Sequence, residues 1–225
     1  MTQKSTKFLL PKQTKHAFTL VEIMFATVLL GIVGIALTAL MMDSARGMLW
    51  SVNKSQITSD FRRFTGRISQ DALNASHAYL YNNFNAASFA ASIGPGFSGD
   101  CLVLVSTEPL PTDINSQRYY QRIVVYYRNA GGEQDRPVFR TQIVFPVPDD
   151  GSGTPTTTRI EDFLAAQINN FDPPERVIDR FIGLTGDRLF NCVTDETFMI
   201  NGEIIHGRNA QQVTNTYNLT ISTRG

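Results

Sequence analysis

The sequence has few of the residues from which active sites are usually built. Its 225 residues include only three histidines, His16, His77 and His206, and none of them has a second ligand at metal-binding spacing. Gly-x-Ser-x-Gly, Cys-x-x-Cys and glycine-rich phosphate-binding motifs are absent. These absences argue against an enzyme, and we predict no catalytic residue, no metal site and no cofactor.

Acidic residues are absent from residues 1–17, which contain four lysines. The rest of the chain holds 16 basic and 20 acidic residues, so the net charge of zero conceals a basic start and a weakly acidic remainder. A basic face would be expected of a generic nucleic-acid-binding protein. The charge distribution therefore makes nucleic acid an unlikely partner.

Proline is absent between Pro11 and Pro95, and the apolar run at residues 18–42 has Glu22 as its only charge. As a helix this run is about 37 Å long, enough to span a bilayer with some tilt. A cleaved signal peptide and a plain signal anchor are alternatives. The run exceeds a typical signal core, however, and no clear cleavage site follows it before Asp43. Placing a carboxylate inside a membrane span costs several kcal/mol. Neither a cleaved signal peptide nor a plain signal anchor explains the presence of Glu22.

The passage Lys15-His16-Ala17-Phe18-Thr19-Leu20-Val21-Glu22 resembles the N-terminus of type IV prepilins and type II secretion pseudopilins. The resemblance covers about the first 45 residues. It implies that a prepilin peptidase cuts after Ala17, that Phe18 becomes the N-methylated terminus, and that Glu22, the fifth mature residue, directs assembly. Ala17 stands where the family usually has glycine, and alanine is the nearest small substitute.

An apolar stripe continues the helix beyond the membrane span. Its residues recur every three to five positions, the spacing of one helix face, and we expect one helix from about Phe18 to about Ala78. The stripe consists of Leu49, Val52, Ile57, Phe61, Phe64 and Ile68. The predicted segments are a leader (1–17), a transmembrane and assembly helix (18–42), an amphipathic continuation (43–79) and an antiparallel β-rich head (80–225).

The head has the alternating pattern of antiparallel strands. Residues 160–168 read as a short helix and Asn201-Gly202 as a two-residue hairpin turn. The expected strands are residues 101–105, 118–128, 138–147, 177–184, 198–200, 203–206 and 213–221, with a hairpin turn at 129–133 and a loop at 149–158. A long helix followed by an antiparallel sheet is an α+β arrangement, and it is also the pilin-like architecture.

The two cysteines, Cys101 and Cys192, both lie in the part predicted to be exported. An oxidising compartment permits a disulfide there. In the chain-entropy model, closing a loop of roughly ninety residues stabilises a protein by about 4 kcal/mol. Two unpaired, half-buried thiols are the alternative.

Two further sequence patterns, at residues 149–153 and 118–128, could each indicate either a binding site or an ordinary structural feature. Residues 149–153 could bind calcium, but they lack the alternating acids and distal glutamate of a calcium loop, which favours a solvated turn. The tyrosines and arginines of residues 118–128 could form a nucleic-acid surface, but alternation along a strand places half of them in the core.

The resemblance implies a structural subunit, a minor pilin or pseudopilin. Its expected partners are prepilin peptidase, other pilins or pseudopilins in a helical filament, and an inner-membrane assembly platform. Lysines flanking one end of the span stay on the cytoplasmic side. The precursor is thus expected in a bacterial inner membrane as a single-pass protein, with its leader cytoplasmic and its head periplasmic, before it joins a pilus or pseudopilus. The alternative is a pilin-like, membrane-anchored protein that captures DNA or a secreted substrate.

Overall fold

The structure is a computed structural model that describes residues 18–109, 118–128, 136–145, 159–183, 187–207 and 212–223. Its contacts divide the chain into two compact units, Met1–Met48 and Leu49–Gly225. The described part is α+β, with a long N-terminal helix followed by antiparallel sheets. The predicted hairpin turn at 129–133, the loop at 149–158 and the leader at 1–17 lie outside the described residues.

Helix α1 spans Leu20–Leu73 and contains 54 residues. It has no proline and is rich in leucine, alanine and methionine, which favour helix formation. The helix ends five residues before the expected Ala78, because the backbone N–H of Ser76 already bonds the carbonyl oxygen of Val105 and a strand begins at His77. The part of α1 in the first unit is long and apolar enough to cross a membrane.

The strands described after α1 are numbered in chain order. A 3₁₀ turn at Ser88–Ala90 follows the first strand, and helix α2 at Ile160–Gln167 confirms the predicted short helix. The strands are β1 (His77–Tyr81), β2 (Ser98–Gly99), β3 (Cys101–Pro109), β4 (Arg118–Arg128), β5 (Val138–Val144), β6 (Glu175–Ile178), β7 (Phe181–Gly183), β8 (Phe190–Thr194), β9 (Thr197–His206) and β10 (Val213–Ser222).

The first sheet has the order β1-β3-β4-β5-β6 and is antiparallel throughout. Its central strands are buried on both faces, because alternate residues enter two different hydrophobic clusters. Leu102 and Tyr126 belong to the main core with the second half of α1, whereas Val103 and Val125 pack in a second cluster with α2. This two-sided burial explains why β4 has apolar residues at consecutive positions.

The second sheet has the order β10-β9-β8-β2, and β7 also pairs with β9. Phe198, Ile200 and Ile204 of β9 project into the main core, which the sheet shares with α1 and with one face of the first sheet. Ile57, Phe64 and Ile68 of the apolar stripe are at most 1% exposed. Leu49 and Val52, at the start of the stripe, are both 46% exposed.

The predicted hairpin turn at Asn201-Gly202 is wrong, because both residues lie inside the uninterrupted strand β9. Gly202 is opposite Tyr217 on β10 and opposite Gly183 on β7. A Cβ at position 202 would overlap the ring of Phe181 and the carbonyl oxygen of Ile182. Glycine therefore serves here for close packing within a strand and not for a turn.

The strand expected at residues 177–184 is two strands that belong to different sheets. β6 pairs with β5 in the first sheet, and β7 pairs with β9 in the second. The chain leaves one sheet and enters the other at Asp179 and Arg180. β1, β2 and β8 were not predicted from the sequence.

Candidate assembly site on the N-terminal helix

A reciprocal set of hydrogen bonds between Thr19 and Glu22 begins α1. The backbone N–H and the hydroxyl of Thr19 each donate to Oε2 of Glu22, both at 3.0 Å. The backbone N–H of Glu22 is 3.3 Å from the Thr19 hydroxyl oxygen. This is the capping-box arrangement, in which two side chains satisfy backbone donors that have no partner within the helix. The carboxylate of Glu22 is thus held at the helix N-terminus, where its charge is favourable.

The surface around Glu22 is apolar and exposed. Phe18 is 80% exposed, Leu20 76% and Phe25 67%, and every residue from 18 to 52 is exposed in the isolated chain. Such a large apolar surface indicates a membrane or a protein interface. Of the predicted processing residues, Phe18 lies beside the capping box, whereas Ala17 is outside the described residues.

In the second unit, a buried cluster joins the end of α1 to the first sheet. Asp71 is 6% exposed; its carboxylate accepts hydrogen bonds from the Tyr126 hydroxyl at 2.6 Å, Arg140 Nε at 2.9 Å and Arg122 at 3.0 Å. Burial and the negative charge of Asp71 raise the pKa of Tyr126. Burial lowers the pKa of Arg140, but the hydrogen bond and charge of Asp71 outweigh that effect, so the pKa is raised. Sequence reasoning missed this cluster, since its members are far apart in the chain.

Two further contacts join α1 to the strands. Glu175 of β6 accepts hydrogen bonds from Arg67 at 2.6 Å and Arg63 at 3.0 Å, and these bonds lower the pKa of Glu175. His206 Nε2 of β9 is 2.8 Å from the carboxylate of Asp60. The second half of α1 is therefore fixed on both sheets by polar as well as apolar contacts.

Four tyrosines and Arg128 of β4 lie in the interior. Tyr119, Tyr120, Tyr126 and Tyr127 are all buried and present no ring surface on which bases could stack. Arg128 is 5% exposed and bonds the carboxylate of Asp100 at 2.9 Å. These five residues pack within the head, so the described tyrosines of β4 do not form the stacking surface for nucleic acid that was considered from the sequence.

The disulfide considered between Cys101 and Cys192 is not formed, and both thiols are free and buried. Cys101 lies on β3 and packs in the cluster under α2, whereas Cys192 lies on β8 and packs in the main core. Burial raises the pKa of both thiols. The two side chains point into different clusters, so no disulfide joins them. Each packs as a small core residue.

A second charged cluster lies around Asp100, whose carboxylate is 2.9 Å from Arg128 and 2.8 Å from Arg188, and Arg128 also contacts Asp187 at 3.3 Å. No group of three or more His, Cys, Asp or Glu residues suited to a metal ion occurs in the described part of the chain. His77 is exposed and His206 contacts Asp60. The calcium loop considered at residues 149–153 lies outside the described residues.

A family model described as the prokaryotic N-terminal methylation motif matches residues 12–38. Neither the curated proteins nor the solved structures contain a significant match to the chain. The motif and the long apolar helix support a membrane-anchored protein, and the long helix followed by antiparallel sheets has the α+β, pilin-like architecture. The chain carries the N-terminal methylation motif found in the type IV pilin and pseudopilin family.

Proposed function

We propose that the chain is a minor pilin or pseudopilin, a structural subunit of a type IV pilus or a type II secretion pseudopilus. Prepilin peptidase removes the leader after Ala17, and Phe18 becomes the N-methylated terminus. The subunit then leaves the inner membrane and joins a helical filament through α1. The observation that carries this proposal is the methylation motif at residues 12–38, followed by an apolar helix with one carboxylate near its start.

The geometry around Glu22 supports a role for this residue in assembly. Its Oε2 accepts both hydrogen bonds from Thr19, and within the described residues its Oε1 makes no hydrogen bond. The free Oε1 can accept from the ammonium group of a neighbouring subunit's Phe18. A charge-assisted pair of this kind relieves the desolvation of both groups in an apolar filament core.

Lysines before the apolar span support the proposed orientation, with the leader in the cytoplasm and the head in the periplasm. The partners that follow are prepilin peptidase, other pilin-like subunits and the inner-membrane assembly platform. Exposed apolar side chains along the first half of α1 support a helix that leaves lipid for a filament core. The role is structural, and no catalytic step is assigned to the chain.

Substitution of Glu22 tests this function. Glu22→Ala should insert into the membrane and be processed normally, but enter filaments about tenfold less, since a hydrogen bond to a charged group contributes about 1.5–3 kcal/mol. Incorporation is measured by immunoblotting of sheared or secreted filaments. Asp43→Ala is the matched control, because Asp43 is also an exposed acid on α1 and its contact with Arg46 is long, at 3.8 Å. Equal incorporation of the two variants would contradict the role of Glu22.

A further inference from the structure

A basic patch made of Arg62, Arg63 and Arg67 lies on the second half of α1. Arg62 and Arg63 are exposed, and Arg67 is half-buried. Glu175 of β6 is shared between two of these arginines, at 2.6 Å from Arg67 and 3.0 Å from Arg63. Among the described residues Arg62 has no ion pair. Three guanidinium groups therefore meet one carboxylate, and the basic patch keeps an excess of two positive charges.

Small residues flank Arg62 along the exposed face of α1. Ser59 lies about one helical turn before Arg62 and Gly66 about one turn after it, and both are exposed. Nothing lies within 4 Å of a Cβ at Gly66. Another protein surface can therefore come close to the guanidinium group of Arg62 on this face.

An acidic turn made of Asp195 and Glu196 lies between β8 and β9. β8 ends at Thr194 and β9 begins at Thr197, and these two residues pair directly. The two acids thus form a two-residue hairpin connection. Both are exposed, and within the described part of the chain neither takes part in an ion pair. Because paired strands fix the turn on both sides, two carboxylates are held together at the end of the second sheet.

The basic patch and the acidic turn of one chain are too far apart to meet. His206, the last residue of β9, is 2.8 Å from the carboxylate of Asp60, which precedes Arg62 by two residues. Thr197, the first residue of β9, directly follows the acidic turn. At about 3.3 Å per residue, the two ends of β9 are about 30 Å apart. An ion pair between the two surfaces therefore requires two copies of the chain.

The charges of the sequence are separated in the same way. Residues 49–67 contain four basic residues and one acid, a net charge of +3, whereas residues 68–225 contain 11 basic and 17 acidic residues, a net charge of −6. Opposite charges attract two surfaces and disfavour the contact of like surfaces. Because the basic patch and the acidic turn are different surfaces, their contact is heterologous and leaves one of each free for a further copy. A contact of this kind continues as an open array.

We propose that the basic patch on α1 binds the acidic turn of a second copy of this chain. This inference rests on the proposed filament function and deepens it, because it names a neighbour in the filament and the charges by which that neighbour is recognised. Arg62 and Arg63 of one copy face Asp195 and Glu196 of the second copy. The two excess positive charges of the patch are thereby neutralised by two carboxylates.

Charge reversal in the full mature chain, assembled into filaments, tests this contact. A photo-reactive residue at Ser59 reports it, because it should cross-link to residues 193–197 of a second copy. Arg62→Glu with Arg63→Glu changes the excess charge of the basic patch from +2 to −2. The cross-link yield should fall about tenfold, since like charges then face each other.

Reversal of the acidic turn provides the matching half of the test. Asp195→Arg with Glu196→Arg should lower the cross-link yield to the same extent. Both acids are exposed, so this reversal leaves the core unchanged. A chain that carries all four substitutions should recover the wild-type yield, because the patch and the turn then again have opposite charges.

Lys54→Glu is the control, since Lys54 is an exposed base on α1 outside the basic patch and its reversal should not change the yield. An equal loss with Lys54→Glu, no recovery with the four substitutions, or a cross-link from Ser59 to a different subunit would each overturn the inference. Filaments that contain the chain but lack this cross-link would overturn the inference and leave the proposed function intact. Absence of the chain from filaments would contradict the proposed function, and this inference with it.

Discussion

At the scale of single residues, Asp71 connects the end of α1 to β4 and β5. Its carboxylate is the shared partner of Arg122, Arg140 and Tyr126. Because Asp71 and Arg140 are each 6% exposed, neither can exchange its partner for water. Removal of one member of such a group leaves the other charge buried and unpaired.

Asp71→Ala should therefore destabilise the head by about 3–5 kcal/mol. The measurement is urea unfolding of the full chain in detergent, followed by the near-ultraviolet circular dichroism of the buried tyrosines. Asp179→Ala is the control, because it breaks an exposed pair with Arg176 at 2.9 Å and should change the free energy of unfolding by at most about 1 kcal/mol. Similar effects of the two substitutions would show that Asp71 is not a main support of the helix.

The phenol of Tyr217 makes stability depend on alkaline pH. Burial raises the pKa of Tyr217 from 10.0 to about 12. Below pH 10 the phenol is protonated in both the folded and the unfolded states, so its contribution to stability is complete. Between pH 10 and 12 only the unfolded state loses the proton, and about 2–3 kcal/mol of stability is lost. Tyr217→Phe lacks this ionisable proton. The difference in the free energy of unfolding between the wild type and Tyr217→Phe should therefore change by about 2–3 kcal/mol between pH 10 and 12. A constant difference would contradict the raised pKa.

At the scale of elements, β9 shows how a strand can depend on a glycine. An added Cβ at Gly202 would meet the Phe181 ring and the backbone of β7. Gly202→Ala should destabilise the head by about 1–3 kcal/mol through overpacking. Gly66→Ala is the control, since nothing lies within 4 Å of a Cβ at this exposed helical position, and it should stabilise by about 0.5–1 kcal/mol. Both values come from urea unfolding, and a neutral Gly202→Ala would show that the two strands can separate freely.

The elements differ in how well local sequence predicts them. The bounds of β4, β10 and α2 were predicted within two residues of those observed. Each of these segments has an uninterrupted pattern of apolar residues that is typical of its own type of secondary structure. The assignment of β6 and β7 to different sheets depends on contacts with β5 and β9 that lie elsewhere in the chain. The Asn-Gly pair in β9 has the sequence of a turn, yet Gly202 pairs with Tyr217 on β10 and lies against the ring of Phe181, and these contacts keep the strand extended.

At the scale of the whole molecule, the N-terminal segment indicates the class of protein. The fold of the head depends on packing between residues that are far apart in the chain. Residues 12–38 contain the methylation motif, and the properties that suggested it are local: a basic leader, a small residue before Phe18, and one acid in an apolar run. The candidate site was therefore predictable from the sequence as far as Phe18 and Glu22. The Asp71 cluster and the positions of the basic patch and the acidic turn depend on which elements meet, and only the structure places them.

The central claim, that the chain is processed as a prepilin, is tested most directly by mass spectrometry of its N-terminus. The full precursor is expressed with and without a prepilin peptidase, and the terminal peptide is identified in each sample. Processing predicts a mature chain that begins at N-methylated Phe18 only when the peptidase is present. An intact N-terminus with two different peptidases would contradict cleavage after Ala17 and favour a plain membrane anchor.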